Sequence, residues 1–295
     1  MLPAQNVWVL KSRKPLTVRP EMQKGCYPTD GGNYIFQKDE MYKFIKEEPN
    51  SQKYFRRWIG AEDMLNGKER YILYLKDSHP NELRKMPKVI ERVKGVINTR
   101  LSSSKAATRI KAETPLLLDE ERIPLKEFLV IPVVSSENRK YIPIEYHCPP
   151  DICYASCFFV DGADLFTFGL LMSNVHNAWM RVVAGRLKSD YRYSNTLVYN
   201  NFPLPDVNET QKEYISKTAQ GILDARALEP ESSLADLYND ITMPVELRKA
   251  HQANDIAVMK AYGMIKKVNG KDKLMSETET IAKLFEMYQE LTEKK

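Results

Sequence analysis

Cysteine and histidine are both scarce in this chain, with four of each in 295 residues. Cys26, Cys148, Cys153 and Cys157 form no CxxC pair and have no paired histidines beside them, so neither a zinc site nor a disulfide scaffold is expected. Reduced thiols are the expectation, and Cys153 and Cys157 lie in the apolar run ICYASCFFV, where free cysteine behaves as a small hydrophobe. His176 has no partner of metal-ligand type nearby in sequence and reads as a core or surface histidine. Long apolar runs are missing too. The longest, Phe128 to Val134 and Ile152 to Val160, fall far short of the roughly 20 residues that cross a bilayer. No charged-then-apolar leader precedes Pro3, so the sequence predicts a protein without a membrane partner, working in the cytoplasm.

Glycine is sparse, at 12 residues, and no GxxxxGK(S/T), GxGxxG or GxSxG pattern occurs. NTP hydrolysis on a phosphate loop and serine-hydrolase chemistry therefore have no support. A DNA methyltransferase needs a glycine-rich turn to seat S-adenosylmethionine and an Asn/Asp-Pro-Pro-aromatic loop to hold the flipped base. The only Pro-Pro, Pro149-Pro150, stands between Cys148 and Asp151 and reads as a loop. No strand-like run carries the carboxylate and Glu-x-Lys pattern of a metal-dependent nuclease. No catalytic, cofactor-binding or metal-binding residue is therefore expected.

What is present is an ordinary core-forming composition, 43% apolar with a net charge of +5, enough for one large domain or two moderate ones. Residues 206–295 hold 13 Lys and Arg against 16 Asp and Glu, net −3, and residues 1–205 hold 31 against 23, net +8. A polyanion site on the first part fits that split, although many proteins without nucleic-acid partners have basic surfaces.

The chain predicts an α+β protein. A proline-rich start leads to the tight-turn signal Asp30-Gly31-Gly32 before a short strand. A helix is expected over 38–48, a strand over 70–75, and a long helix over 80–104, broken at Pro87. On that helix Arg92, Lys94, Arg100, Lys105 and Arg109 can reach phosphates or form a solvated face. Strand signals follow at 115–118, 128–134 and 141–144, with a hairpin turn at 135–138. Leu165 to Val183 has the apolar spacing of one helix, with Gly185 as its stop. After Pro203-Leu204-Pro205 the strand-like runs vanish and helices are expected near 209–228, 234–237, 244–266 and 276–293, the last opened by the capping box Ser276-Glu277-Thr278-Glu279. The boundary at 205/206 separates a mixed domain from a small helical one.

The run Gly185-Arg186-Leu187-Lys188-Ser189-Asp190-Tyr191-Arg192-Tyr193-Ser194 interleaves charge, aromatic and hydroxyl groups. In an extended segment Lys188, Asp190 and Arg192 share one face, and Ser189, Tyr191 and Tyr193 line the other. Lys or Arg donates to guanine O6 and N7, and Asp accepts from the cytosine amine, so a cation–anion–cation row can read base pairs. Alternating charges on a strand also make an ordinary solvated face with cross-strand ion pairs.

The block WMRVVAGRLKSDYRYSNTLVYNNFPLP resembles the target recognition domain of MmeI-like restriction-modification enzymes. So do PTDGGNYIF, FRRWIGAEDMLNGKERYILYL and EFLVIPVVSSENRKYIPIEY. AQGILDARALEPESSLADLYNDITMP and AHQANDIAVMKAYG resemble the C-terminal helical domain of that family. The resemblance implies a prokaryotic protein whose partner is double-stranded DNA, with Lys188, Asp190 and Arg192 contacting bases. Arg186, Arg56 and Arg57 are weaker candidates, for phosphate contacts that position without specifying. It also implies that the endonuclease and adenine methyltransferase domains, with their S-adenosylmethionine and magnesium, lie outside this chain. The expectation is a fragment or separately encoded specificity part. Two alternatives are a subunit that completes a methyltransferase with a partner chain and a helical protein-interaction module.

Overall fold

The computed structural model describes residues 7–293. From the N-terminal side come β1 (Met22–Lys24), β2 (Ile35–Gln37), α1 (Lys38–Glu47), β3 (Phe55–Ile59), α2 (Ala61–Asn66) and β4 (Arg70–Leu73). Next are α3 (Pro80–Leu83), α4 (Pro87–Leu101) and α5 (Ala106–Ile110). A strand-rich middle follows, with β5 (Phe128–Pro132), β6 (Val134–Ser135), β7 (Glu145–His147), β8 (Ile152–Cys153) and β9 (Cys157–Asp161). Then come α6 (Leu165–Leu171), α7 (Asn174–Val183), β10 (Gly185–Leu187) and β11 (Asp190–Arg192). The last part holds α8 (Glu209–Ala227), α9 (Leu234–Leu237), α10 (Val245–Ala261), β12 (Ile265–Val268), β13 (Lys271–Leu274) and α11 (Glu277–Glu293). The fold is α+β, as the sequence predicts.

Among the described residues four small sheets carry the strands, in the orders β1-β9-β5-β7, β2-β4-β3-β8, β10-β11-β6 and β12-β13. The Asp30-Gly31-Gly32 signal is a real turn: Asn33 N donates to Asp30 O at 3.2 Å and Gly31 has φ +61°. A Cβ on Gly31 would lie 2.4 Å from Thr99 Oγ1, so only glycine satisfies both the backbone and the packing. Helices α3 and α4 divide at Pro87 as expected, since proline is tolerated in a first turn and nowhere deeper.

The expected strand at 115–118 is a loop. Side chains take carbonyls there in place of a neighbouring strand, Tyr34 Oη donating to Pro115 O at 2.9 Å and Arg100 to Leu117 O. All five guanidinium N–H groups of Arg100, which is 1% exposed, donate to backbone. Nε reaches Thr29 O, Nη1 reaches Lys111 O and Thr114 O, and Nη2 reaches Pro28 O and Leu117 O, over 2.7–3.1 Å. Arg100 is therefore a buried staple between two loops and is unavailable to phosphate. Residues 141–144 are likewise buried without being a strand, and β5 pairs with β7 across a longer connection. The 135–138 segment keeps only a local turn, Arg139 N to Ser136 O. The single helix expected over 165–183 breaks at Ser173, whose Oγ donates to Leu170 O at 2.7 Å and caps α7 by accepting from His176 N.

Helices α8, α10 and α11 make the region after Pro205 mostly helical, and both halves of the Ser276/Glu279 capping box form. The β12–β13 hairpin is an addition. The expected boundary at 205/206 does not interrupt the apolar core: Leu129, Phe168, Trp179 and Phe202 belong to one buried cluster with Ile215, Leu247, Val258 and Leu284. A buried polar chain crosses the same seam. Asp255 accepts from Tyr141 Oη at 2.7 Å and from Asn174 N at 2.7 Å. The ring of Tyr141 stacks on His251 at 4.0 Å, and His251 Nε2 bonds Tyr238 Oη, which accepts from Arg226.

Burial dominates the titration of this core. It pushes His176 down to about 3, helped by nearby Arg19, and pushes His251 down as well, helped by Arg226 and Lys140. Burial also raises Asp255 to about 6. A histidine held neutral contributes stability above its ordinary value near 6.5 and loses it as pH falls toward the folded value. Asp255 works in the opposite sense, favouring the fold as pH falls from about 6 toward 3.8, but it is one group against two. Thermal melts should therefore show a lower Tm at pH 4.5 than at pH 7.5, with His176 alone responsible for about 2–3 kcal/mol. His176→Gln should flatten the dependence; an unchanged slope in that variant would refute the assignment.

Candidate nucleic-acid interface

The segment from Gly185 to Ser194 is a hairpin, which corrects the expectation of one extended run. Helix α7 is anchored by Trp179, fully buried, whose Nε1 donates to Val198 O at 3.0 Å. Its C-cap, Ala184, is already extended, and β10 starts at the next residue. Gly185 thus opens a strand. β10 and β11 pair Gly185 with Arg192, Arg186 with Tyr191 and Leu187 with Asp190, so that Lys188 and Ser189 form the tip. Lys188 adopts φ +56° there.

The other edge of β11 pairs with β6, Tyr191 opposite Ser135 and Arg192 opposite Val134, and Tyr193 N donates to Val133 O at 2.8 Å. Alternation along β11 turns Tyr191 inward, and Asp190 and Arg192 outward. Lys188 joins them by standing at the exposed tip and not by the i, i+2 rule. Neither Lys188 nor Arg192 has an ion pair or side-chain hydrogen bond among the described residues. Asp190 is half-buried; its Oδ1 lies 3.4 Å from Glu137 N, and Arg139 lies close enough to feel its charge. Arg139 and Glu137 are neighbours that the local sequence does not announce, because they come from a segment some fifty residues earlier.

The inward residues have structural work. Tyr193, 2% exposed, bonds His176 Nε2 at 3.0 Å and is part of the core, so it is no surface contact. Tyr191, 8% exposed, lies under the guanidinium of Arg186 at 3.7 Å. Arg186 also donates to Ser189 O at 2.6 Å and sits 3.5 Å from Glu137. It holds the hairpin closed, where the sequence suggested a phosphate contact. Ser189 is exposed at the tip, away from the tyrosines with which it was grouped.

Arg56 and Arg57 are not brought to this hairpin, since β3 belongs to a different sheet. Arg56 turns back onto Lys53 O and Phe55 O, and Arg57 Nε is buried without a hydrogen-bond partner among the described residues. On α4 and its neighbour, Arg92 covers the rings of Phe36 and Phe44, and Arg109 bonds Ser103 O and Ser104 O.

The closing motif NNFPLP has a role that its position beside the hairpin disguises. It seats an N-terminal strap. Asn200 Nδ2 donates to Ser12 O, Asn201 Nδ2 to Leu10 O, and Leu16 N to Asn200 O. Arg19 reaches Phe202 O at 2.6 Å and lies over the ring of Tyr199, whose hydroxyl donates to Pro20 O.

Two family models divide the chain between them: the MmeI target recognition domain over residues 3–206, and the MmeI C-terminal domain over residues 207–294. DNA methyltransferase A of Bacillus subtilis (strain 168) is 35% identical over 290 residues, which are 98% of this chain and 32% of that protein. The solved structure of the Type IIL restriction-modification enzyme MmeI in complex with DNA matches with a TM-score of 0.92 and 43% identity. It covers 98% of this chain and 38% of that one. The chain thus spans about a third of the length of each.

If Arg186 closes the hairpin and touches no polyanion, Arg186→Ala should raise the rate of limited proteolysis between residues 185 and 192 several-fold. The salt dependence of any DNA binding should stay unchanged. A flatter salt dependence with unchanged proteolysis would identify a phosphate contact instead.

Proposed function

This chain belongs to the MmeI family of restriction-modification enzymes, and we propose that it is the part of such an enzyme that recognises a specific sequence in double-stranded DNA. The observation that carries this reading is the β10–β11 hairpin. It offers Lys188 and Arg192 without an ion pair among the described residues, and Asp190 beside Arg139 with one long bond from Glu137 N, on a ribbon whose other face is fixed to the core. A two-stranded ribbon is of a size that the major groove admits.

There Lys188 donates to guanine O6 and N7, and Asp190 accepts from the amine of the paired cytosine, so the pair suits a G·C base pair. Arg192, on the same face as Asp190, supplies a second donor. Ser189, exposed at the tip, packs beside the sugar-phosphate backbone, and Tyr191 supports the ribbon from its inner face. The protein is proposed to act in a prokaryotic cytoplasm; among the described residues, no helix is long and apolar enough to cross a membrane.

Chemistry on the DNA is proposed to belong to a methyltransferase and nuclease half, on the same polypeptide or on a partner subunit. S-adenosylmethionine and magnesium are proposed to belong to that half.

Exchanging Lys188→Glu together with Asp190→Arg should invert the preference at one base pair, turning G·C into C·G. Discrimination at that position should change by roughly 10-fold or more, as expected for contacts of about 1–3 kcal/mol. Selection from a randomised duplex pool, with sequencing of the bound fraction, reads this directly. An identical motif from both proteins would remove Lys188 and Asp190 from the reading set.

A further inference from the structure

The β12–β13 ribbon carries a charge pattern that its own surroundings do not explain. It holds Lys266, Lys267, Lys271 and Lys273 against Asp272 alone, net +3, and the rest of residues 206–295 is net −6. Asn269 and Gly270 turn it with φ of +52° and +75°, and among the described residues it pairs with no further strand. Lys266 stands directly opposite Lys273 and Val268 opposite Lys271, so three lysines share one face. Like charges facing each other across a ladder destabilise it. Lys266 is relieved by Glu279 at 2.5 Å, and Lys267, on the other face, by Asp272. Lys271 and Lys273 are exposed and have no ion pair among the described residues.

The ribbon and the reading hairpin leave the core at one corner. Helix α7 ends at Val183, two residues before β10, and α11 begins at Glu277, three residues after β13. Arg181 Nε of α7 bonds Glu277 Oε1 of α11 at 3.0 Å, which ties the two roots together. The base of the ribbon is fixed by Met275 N to Met264 O.

We propose that the lysine face of the β12–β13 ribbon is a second DNA contact, gripping phosphates beside the site that the β10–β11 hairpin reads. The proposal rests on the reading of that hairpin as a DNA recognition element. It assigns the ribbon a sequence-independent role, since lysine on phosphate positions the duplex and carries no base information. An acidic protein partner would satisfy the same charges, but the shared root with the reading hairpin favours the duplex.

The test uses the full chain and two duplexes, one with the selected site and one scrambled, over about 50–200 mM salt. Lys271→Ala with Lys273→Ala should flatten the slope of log K against log salt by about 1.8, the value for two phosphates, equally on both duplexes. The selected motif should not change. Lys271→Arg with Lys273→Arg should restore the slope, and both variants should melt at the wild-type Tm. An unchanged slope in the alanine variant, with salt-dependent binding in the wild type, overturns the ribbon contact and leaves the recognition reading standing. Absence of salt-dependent binding in the wild type overturns both. A motif lost in Lys188→Ala with Asp190→Ala, with the slope due to Lys271 and Lys273 retained, separates the two contacts.

Discussion

The β10–β11 hairpin, proposed as the reading face, depends on a single transfer of chain from one sheet to another. β5 is buried at all five positions and ends at Pro132, which has no N–H to extend the ladder. Val133 then serves two masters: its N–H donates to Ser156 O at 2.9 Å on the side of the old sheet, and its carbonyl accepts from Tyr193 N at 2.8 Å on the side of the new one. β6 follows and pairs with β11. The exposed hairpin is in this way an extension of the most deeply buried strand, and not a loop resting on the surface. Interfaces that discriminate bases need donors held to within a fraction of an ångström, and a buried strand supplies that rigidity.

Side-chain hydrogen bonds hold what the sheets do not reach. The sheets are small, so many buried carbonyls have no ladder partner, and each would cost about 1–3 kcal/mol if left alone. Arg100 satisfies five of them with one planar group. Asn200 and Asn201 do the same for the strap, and Arg226 caps Ile144 O at 2.7 Å from across the seam after Pro205. The seam joins regions of different composition, yet apolar and polar contacts cross it together, so the two regions melt as one unit on this physical picture.

Local signals were read correctly where local physics decides. The helices near 38–47, 87–101, 209–227 and 245–261, the break at Pro87 and the Ser276 cap all follow from apolar spacing, proline and capping chemistry. The failures have non-local causes. Leu116 to Leu118 looks like a strand because it is apolar, but only Leu118 is buried, and Arg100 comes from elsewhere to bond Leu117 O. The break at Ser173 needs a residue that serves its own helix end as donor and acceptor at once. The β12–β13 ribbon was legible in principle through Asn269-Gly270, a strong hairpin dipeptide, but four lysines in ten residues hid the strand pattern. In the candidate site, Lys188, Asp190 and Arg192 do come to one exposed hairpin, but Lys188 arrives by the turn and not by alternation. A left-handed Lys188 and the stacking of Arg186 on Tyr191 depend on a turn that alternation alone does not reveal, and Arg139 arrives only through the β6 pairing.

The strap that Asn200 and Asn201 hold has a consequence for synthesis. Its bonds join residues 181 to 191 positions apart, so a ribosome that has finished the strap must still make nearly two hundred residues before its seat exists. The strap leaves the exit tunnel early and docks late, carrying Trp8 and Leu10 that stay 78% and 73% exposed even when folded. Contacts of such sequence separation are slow to close, and nascent chains with open apolar segments are the ones that chaperones capture. The strap thus precedes its own seat in synthesis and joins the fold only after that seat has formed.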